Sequence, residues 1–140
     1  MSKAAIIYWS GTGNTETMAQ AVEQGAGAEV ILKAVSDITA EQAAEYDVLA
    51  LGCPACGSEE LEEAEFEPFF AELEGKISGK KVGLFGSHDW GDGEWMRTWE
   101  SRVRDAGAEL LQGEGIIADN EPDEDALAKC RDLGKQMIEG

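Results

Sequence analysis

Two rhythms of apolar positions alternate along the chain. Lys3 to Trp9 is a short unbroken run with Ile6, Ile7, Tyr8 and Trp9, closed by Ser10-Gly11-Thr12-Gly13, as in a strand buried on both faces. From Thr15 to Ala26 the spacing changes to three and four, with Met18, Ala19, Val22 and Ala26 on one stripe, which predicts a helix with Asn14 as its N-cap. The same alternation continues downstream. Strands are predicted at Glu29 to Ala34, Asp47 to Cys53, Lys80 to Gly86 and Glu109 to Ala118, the last one open to interruption at Gly113 and Gly115. Helices are predicted at Thr39 to Glu45 (capped by Thr39 or Asp37), Glu65 to Glu74, Gly93 to Ala106 and Asp123 to Glu139. The Phe residues of the 66–85 region fall at core positions. Five strands alternating with helices specify an α/β domain: a doubly wound parallel sheet with right-handed crossovers and helices on both faces.

Length adds that one domain is enough. At 140 residues and 15.0 kDa the chain can bury a sufficient core by itself, and neither a repeat nor a low-complexity linker divides it, so residues 1–140 read as a single domain. Charge narrows the function. With 29 acidic against 11 basic residues, a formal charge of −18 and 43% apolar content, the chain is foldable yet repels phosphate backbones and anionic lipid. Nucleic acid and membrane partners are therefore not expected. No apolar run approaches the roughly 20 residues of a membrane span, and three cysteines cannot pair completely, which together suggest a cytoplasmic, reducing location.

Ligands of open α/β sheets bind beyond the carboxyl ends of the strands. Three loops fall there: Ser10 to Thr15, Pro54 to Leu61 and Ser87 to Gly93. The first offers hydroxyls, an amide side chain and helix N-terminal N–H groups but no lysine or arginine, a cradle for one phosphate monoester and not for ATP. The P-loop lysine is absent, and Gly11-Thr12-Gly13 is followed by Glu16 where a dinucleotide fingerprint places its third glycine. Cys53-Pro54-Ala55-Cys56 is a C-x-x-C, but only Cys130 and His88 remain as further soft ligands, so no metal site is expected. Its acidic surroundings raise thiol pKa and disfavour disulfide chemistry.

Read together, the three loops resemble the flavodoxins, specifically the short-chain type of anaerobic bacteria. Tyr8-Trp9-Ser10-Gly11-Thr12-Gly13-Asn14-Thr15-Glu16 is similar to that family's phosphate loop. Gly52-Cys53-Pro54-Ala55 with Gly57-Ser58-Glu59-Glu60-Leu61 is similar to its inner flavin loop, and Gly86-Ser87 with Trp90-Gly91 and Gly93 to its outer one. The similarity spans essentially the whole chain, including Glu67-Pro68-Phe69-Phe70 and Lys80-Lys81-Val82-Gly83-Leu84-Phe85-Gly86. It implies a flavodoxin-like sheet of order 2-1-3-4-5, one bound FMN, and a low-potential electron carrier shuttling between semiquinone and hydroquinone. Such a carrier has no substrate of its own. The chain departs from the family pattern at Cys56, where methionine is usual, and at His88-Asp89, where Tyr-Gly is common.

The residues agree with what the resemblance implies. FMN needs one phosphate cradle (Ser10, Gly11, Thr12, Gly13, Asn14, Thr15), an aromatic platform and polar groups for its pyrimidine edge. Trp90 lies in a Gly-rich loop with no helical or strand face to pack on and can stack on the ring. Pro54, Ala55, Cys56, Gly57 and Ser58 would flank the inner face; Ser87, His88, Asp89, Trp90 and Gly91 the outer. The resemblance gives Glu59 a hydrogen bond from flavin N3–H, and Gly57 a peptide that turns over on reduction, a motion glycine permits. The acidic run Glu59 to Glu74 reads first as a solvated helix face. Beside a flavin it would also oppose added negative charge and steer redox enzymes with basic docking surfaces, such as ferredoxin-linked oxidoreductases, toward a monomer. The alternatives are a flavodoxin-fold FMN-dependent quinone or flavin reductase, for which no basic nicotinamide clamp is visible, and a receiver domain, whose strand-end Asp is replaced by Gly52-Cys53.

Overall fold

The computed structural model describes residues 3–11, 13–27, 30–56, 60–88 and 93–138. Six strands, β1 (Ala4–Tyr8), β2 (Val30–Ala34), β3 (Val48–Gly52), β4 (Lys81–His88), β5 (Glu109–Leu110) and β6 (Ile116–Asp119), form one parallel sheet. Its order is β2-β1-β3-β4-β5, with β6 also paired to β4. Side chains alternate between its faces. Ala5, Ile7, Leu49, Leu51, Val82 and Leu84 point into one core, while Ala4, Ile6, Val48, Ala50 and Phe85 point into the other.

The helices are α1 (Asn14–Ala26), α2 (Ala40–Ala43), α3 (Phe66–Glu74), α4 (Glu94–Asp105) and α5 (Glu124–Ile138). The apolar stripes of α3 and α4, with Phe66, Phe70, Trp95, Trp99 and Val103, close the first core. Those of α1 and α5, with Met18, Val22, Cys130, Leu133 and Met137, close the second. The phenylalanines at 66, 69, 70 and 85 are all core residues, as their spacing predicts. Between α1 and α5 the backbones nearly touch: a Cβ on Gly134 would lie 2.0 Å from the Val22 carbonyl oxygen, and one on Gly25 1.9 Å from that of Arg131.

Two local expectations are corrected, the end of β4 and the cap of α1, and two left open are decided. The fifth strand is split, because Leu111–Gly113 forms a 3-10 turn with Gln112 and Gly113 at φ 65° and 76°. There Arg104 donates to the Gly113 carbonyl, and the Gly115 N–H donates to Glu100. Strand β4 continues past Gly86 to His88, because β6 pairs with it through His88↔Asp119. Asn14 is not the cap of α1; Gly13 is, with the Ser10 hydroxyl accepting from the turn. Of the two candidates for α2, Thr39 caps, in a reciprocal box with Gln42. Among the described residues no helix is long and apolar enough to cross a membrane.

Candidate functional site

The described parts of the three loops singled out in the sequence lie at the carboxyl ends of β1, β3 and β4. In the first, Ser10 Oγ accepts from the N–H groups of Gly13 (3.0 Å) and Glu16 (3.3 Å), which folds the loop into the start of α1. Gly13 adopts φ 96°, and nothing beyond its chain neighbours lies within 4 Å of where its Cβ would be, so the cap of α1 is open on that side. First-turn N–H groups have no helical carbonyl to reach, and together with the helix dipole they favour an anion there. The Thr15 side chain turns inward, 1% exposed, and its hydroxyl lies 3.2 Å from Ser87 Oγ. Ser87 is itself buried on β4, so this contact ties the first loop to the third beneath the opening.

The second loop is held from several sides. The Cys53 N–H donates to the Phe85 carbonyl and the Ala55 N–H to that of Ser87. Cys56 and Glu60 exchange two backbone hydrogen bonds, 2.8 and 2.9 Å, fixing the chain on either side of residues 57–59. Pro54, Ala55 and Cys56 are half-buried along this edge. The Trp9 indole N–H reaches across from the first loop to Glu65 at 3.1 Å. Trp95 of α4 donates to the Cys53 carbonyl at 3.0 Å, and a Cβ on Gly86 would lie 2.2 Å from the same oxygen. The floor of the site is therefore close-packed backbone.

Of the described carboxylates in the acidic run, four have specific partners. Glu62 accepts from the N–H groups of Ala64, Glu65 and Phe66, ahead of α3. Burial opposes its charge, but the three amides outweigh that and hold the carboxyl below the usual range. Glu65 takes the Trp9 indole, and Glu67 and Glu74 clasp Arg102, whose guanidinium also covers the Phe70 ring. The Glu67 hydrogen bonds lead in holding Arg102 more firmly charged than usual. These carboxylates are scaffold, not merely a solvated face. All three cysteines are free thiols. Burial pushes Cys53 well up against the opposing hydrogen bond from the Glu62 N–H, burial pushes Cys56 up with the Glu62 charge adding to it, and burial pushes Cys130 up to about 12. Among the described residues no group of three or more His, Cys, Asp or Glu could hold a metal ion.

His88 ends β4 and does not open a loop. Its side chain is 9% exposed, with Nε2 2.5 Å from Asp119 Oδ1 and its ring tilted against Trp95, centroids 5.2 Å apart. Asp119, Trp95 and Glu62 were not among the residues the sequence singled out for the site. The end of the fifth strand, just before Asn120-Glu121-Pro122-Asp123, is the signal that could have pointed to Asp119, since ligand sites gather at strand carboxyl ends. Thr12, Gly57, Ser58, Glu59, Asp89, Trp90 and Gly91, all named as site residues from the sequence, lie outside the described residues.

A family model described as Flavodoxin matches residues 6–134. The chain belongs to the flavodoxin family. The flavodoxin of Megasphaera elsdenii is 50% identical over 133 residues, covering 93% of this chain and 94% of that one. That of Clostridium beijerinckii is 49% identical over 135 residues, covering 94% and 96%. The solution structure of the two-electron reduced Megasphaera elsdenii flavodoxin superimposes with a TM-score of 0.87 at 46% identity, over 98% of this chain and 99% of that one. Membership brings an electron-carrier family and FMN as its cofactor. The residues present fit that group: a single anion cradle without a cation, opening over Gly13, sits beside two strand-end loops braced by Thr15–Ser87.

Proposed function

We propose that this flavodoxin is a low-potential one-electron carrier linking redox enzymes, with FMN cycling between semiquinone and hydroquinone. FMN supplies the redox chemistry, and the protein supplies orientation and charge. The observation that carries the reading is the first turn of α1 behind Gly13, which holds no lysine or arginine and is joined to β4 through Thr15 and Ser87.

The phosphate belongs on the loop of Ser10, Gly11, Thr12, Gly13, Asn14 and Thr15. Ser10 acts indirectly there: its oxygen accepts from Gly13 and Glu16 and so shapes the loop. The ring belongs between Pro54-Ala55-Cys56-Gly57-Ser58 and the Ser87–Gly91 segment, with Trp90 stacked on it and Glu59 accepting from N3–H. A net charge of −18 opposes a further negative charge on the cofactor and favours partners with basic docking surfaces. The chain would work as a monomer in the cytoplasm.

Stepwise dithionite reduction of the yellow protein should accumulate a blue neutral semiquinone, while NADH or NADPH alone should leave the flavin oxidised. Rapid bleaching by either nucleotide would instead make the protein a reductase. Extraction of FAD as the main flavin would overturn the phosphate assignment.

A further inference from the structure

We propose that the cavity between the second loop and α4 receives a lysine side chain of the redox partner, and that Glu60 and Glu63 hold its ammonium group. The inference deepens the reading above, in which partners dock through basic surfaces, and rests on it. The cavity measures about 130 Å³. Leu61, Trp95 and Trp99, all buried, form its apolar wall, and the exposed Glu60 and Glu63 stand at its rim. A dry cavity of about 150 Å³ admits one benzene ring, so this one has room for a single side-chain stem and not for a length of peptide. Glu60 also exchanges two backbone hydrogen bonds with Cys56, which places the rim on the second loop itself.

Charge at the rim decides what enters. In the acidic run Glu62 is taken by three amides, Glu65 by the Trp9 indole, and Glu67 and Glu74 by Arg102. Glu60 and Glu63 have no side-chain partner among the described residues, and both line this cavity. Arg102 lines it too, but its charge is answered twice, by Glu67 at 2.8 Å and by Glu74 at 3.1 Å, so the cavity stays negative. An anion is repelled there, and a neutral apolar molecule leaves both rim carboxylates unanswered. A lysine meets both demands: its four-carbon stem lies against Leu61 and the indoles while its compact ammonium stays among carboxylates and water.

The probe is n-butylammonium, a lysine side chain without its backbone. Titrated into the FMN-loaded protein at low salt, it should shift the indole N–H resonances of Trp95 and Trp99 saturably. Methylammonium, the charge without the stem, and 1-butanol, the stem without the charge, should each bind about 5-fold more weakly or worse. Glu60→Gln combined with Glu63→Gln should weaken butylammonium by about 5-fold, and Glu72→Gln, an exposed carboxylate of the same run that does not line the cavity, should leave its affinity within about twofold. Indole resonances that do not respond, 1-butanol or methylammonium binding as well as butylammonium, an unchanged affinity in the double variant, or an equal loss in Glu72→Gln would each overturn the proposal. Any of these in a protein that dithionite reduces and NADH and NADPH do not leaves the carrier reading standing. Bleaching by either nucleotide overturns that reading and this proposal with it, because the partner would no longer be a redox protein.

Discussion

Glu62 shows how a residue that composition places on the surface becomes part of the site's frame. One carboxylate gathers three amides just before α3, and its own N–H donates to the Cys53 sulfur at the end of β3. Because its folded value lies below the unfolded one of 4.5, its contribution is present above about pH 4.5 and is lost as pH falls through the folded value. Glu62→Gln should lower stability at pH 7 by about 1 kcal/mol, or about 3 °C in the midpoint, the size of a lost helix cap. The difference from the parent should shrink as the pH falls through the folded value, since a protonated Glu62 is as neutral as the glutamine. An equal gap in thermal melts at pH 7 and pH 3 would show that the charge is irrelevant. Residue roles were only partly legible from the sequence. Ser10 and Thr15 lie in the predicted loop, but their hydroxyls bond within the protein, to a turn and to Ser87. Spacing gives the loop and not the direction a hydroxyl faces; the inward turn of Thr15 depends on β4 lying beneath it.

Among the elements, the α1–α5 contact is the tightest joint in the second core. Gly25 and Gly134 let the two backbones meet where any Cβ would strike a carbonyl at about 2 Å. Overpacking usually costs about 1 to 3 kcal/mol, and here backbone would have to move, so Gly134→Ala should reach the upper end of that range. Urea unfolding followed by circular dichroism tests this, and a midpoint equal to the parent's would mean that α5 tilts away freely. Element type was legible wherever periodicity was strong, as in the Met18–Val22 and Trp95–Trp99–Val103 stripes, which the structure buries as expected. The split of the fifth strand was only partly visible. Gly113 and Gly115 mark an irregularity, but the left-handed turn at Gln112 depends on tertiary ties to Arg104 and Glu100 that no local pattern announces. The cap of α1 was misplaced for a similar reason: Asn14 suits an N-cap, but Ser10, four residues earlier, accepts from the Gly13 and Glu16 N–H groups and Gly13 takes the cap position.

For the whole molecule, self-repulsion dominates. A charge of −18 on a 15.0 kDa chain is offset by a few internal pairs, chiefly Arg102 with Glu67 and Glu74 and Arg131 with Glu124. Exposed charges more than about 10 Å apart are largely screened at 0.1 M ionic strength. Raising sodium chloride from about 0.02 to 0.3 M should therefore raise the thermal midpoint by several degrees, the reverse of a fold held by surface ion pairs. Calorimetry at neutral pH tests this; a midpoint that falls with salt would mean that the pairs outweigh the repulsion. Fold class followed from the alternating periodicities, which specify a parallel sheet covered on both faces, whereas the sheet order came with the resemblance that the three loops carry.

The glycine joint between α1 and α5 also has a temporal side. Of the described helices, the one that offers the anion-binding turn leaves the ribosome first, and the one that buries its apolar stripe leaves last. About 110 residues separate their starts, which at translation rates of about 5 to 20 residues per second is a wait of roughly 6 to 22 s. During that wait Met18 and Val22 lack the cover of Cys130, Leu133 and Met137. A nascent chain stopped before Glu124 should not capture FMN. Loading of the cofactor would then follow the emergence of α5, so that no chain still lacking that helix carries a flavin able to leak electrons.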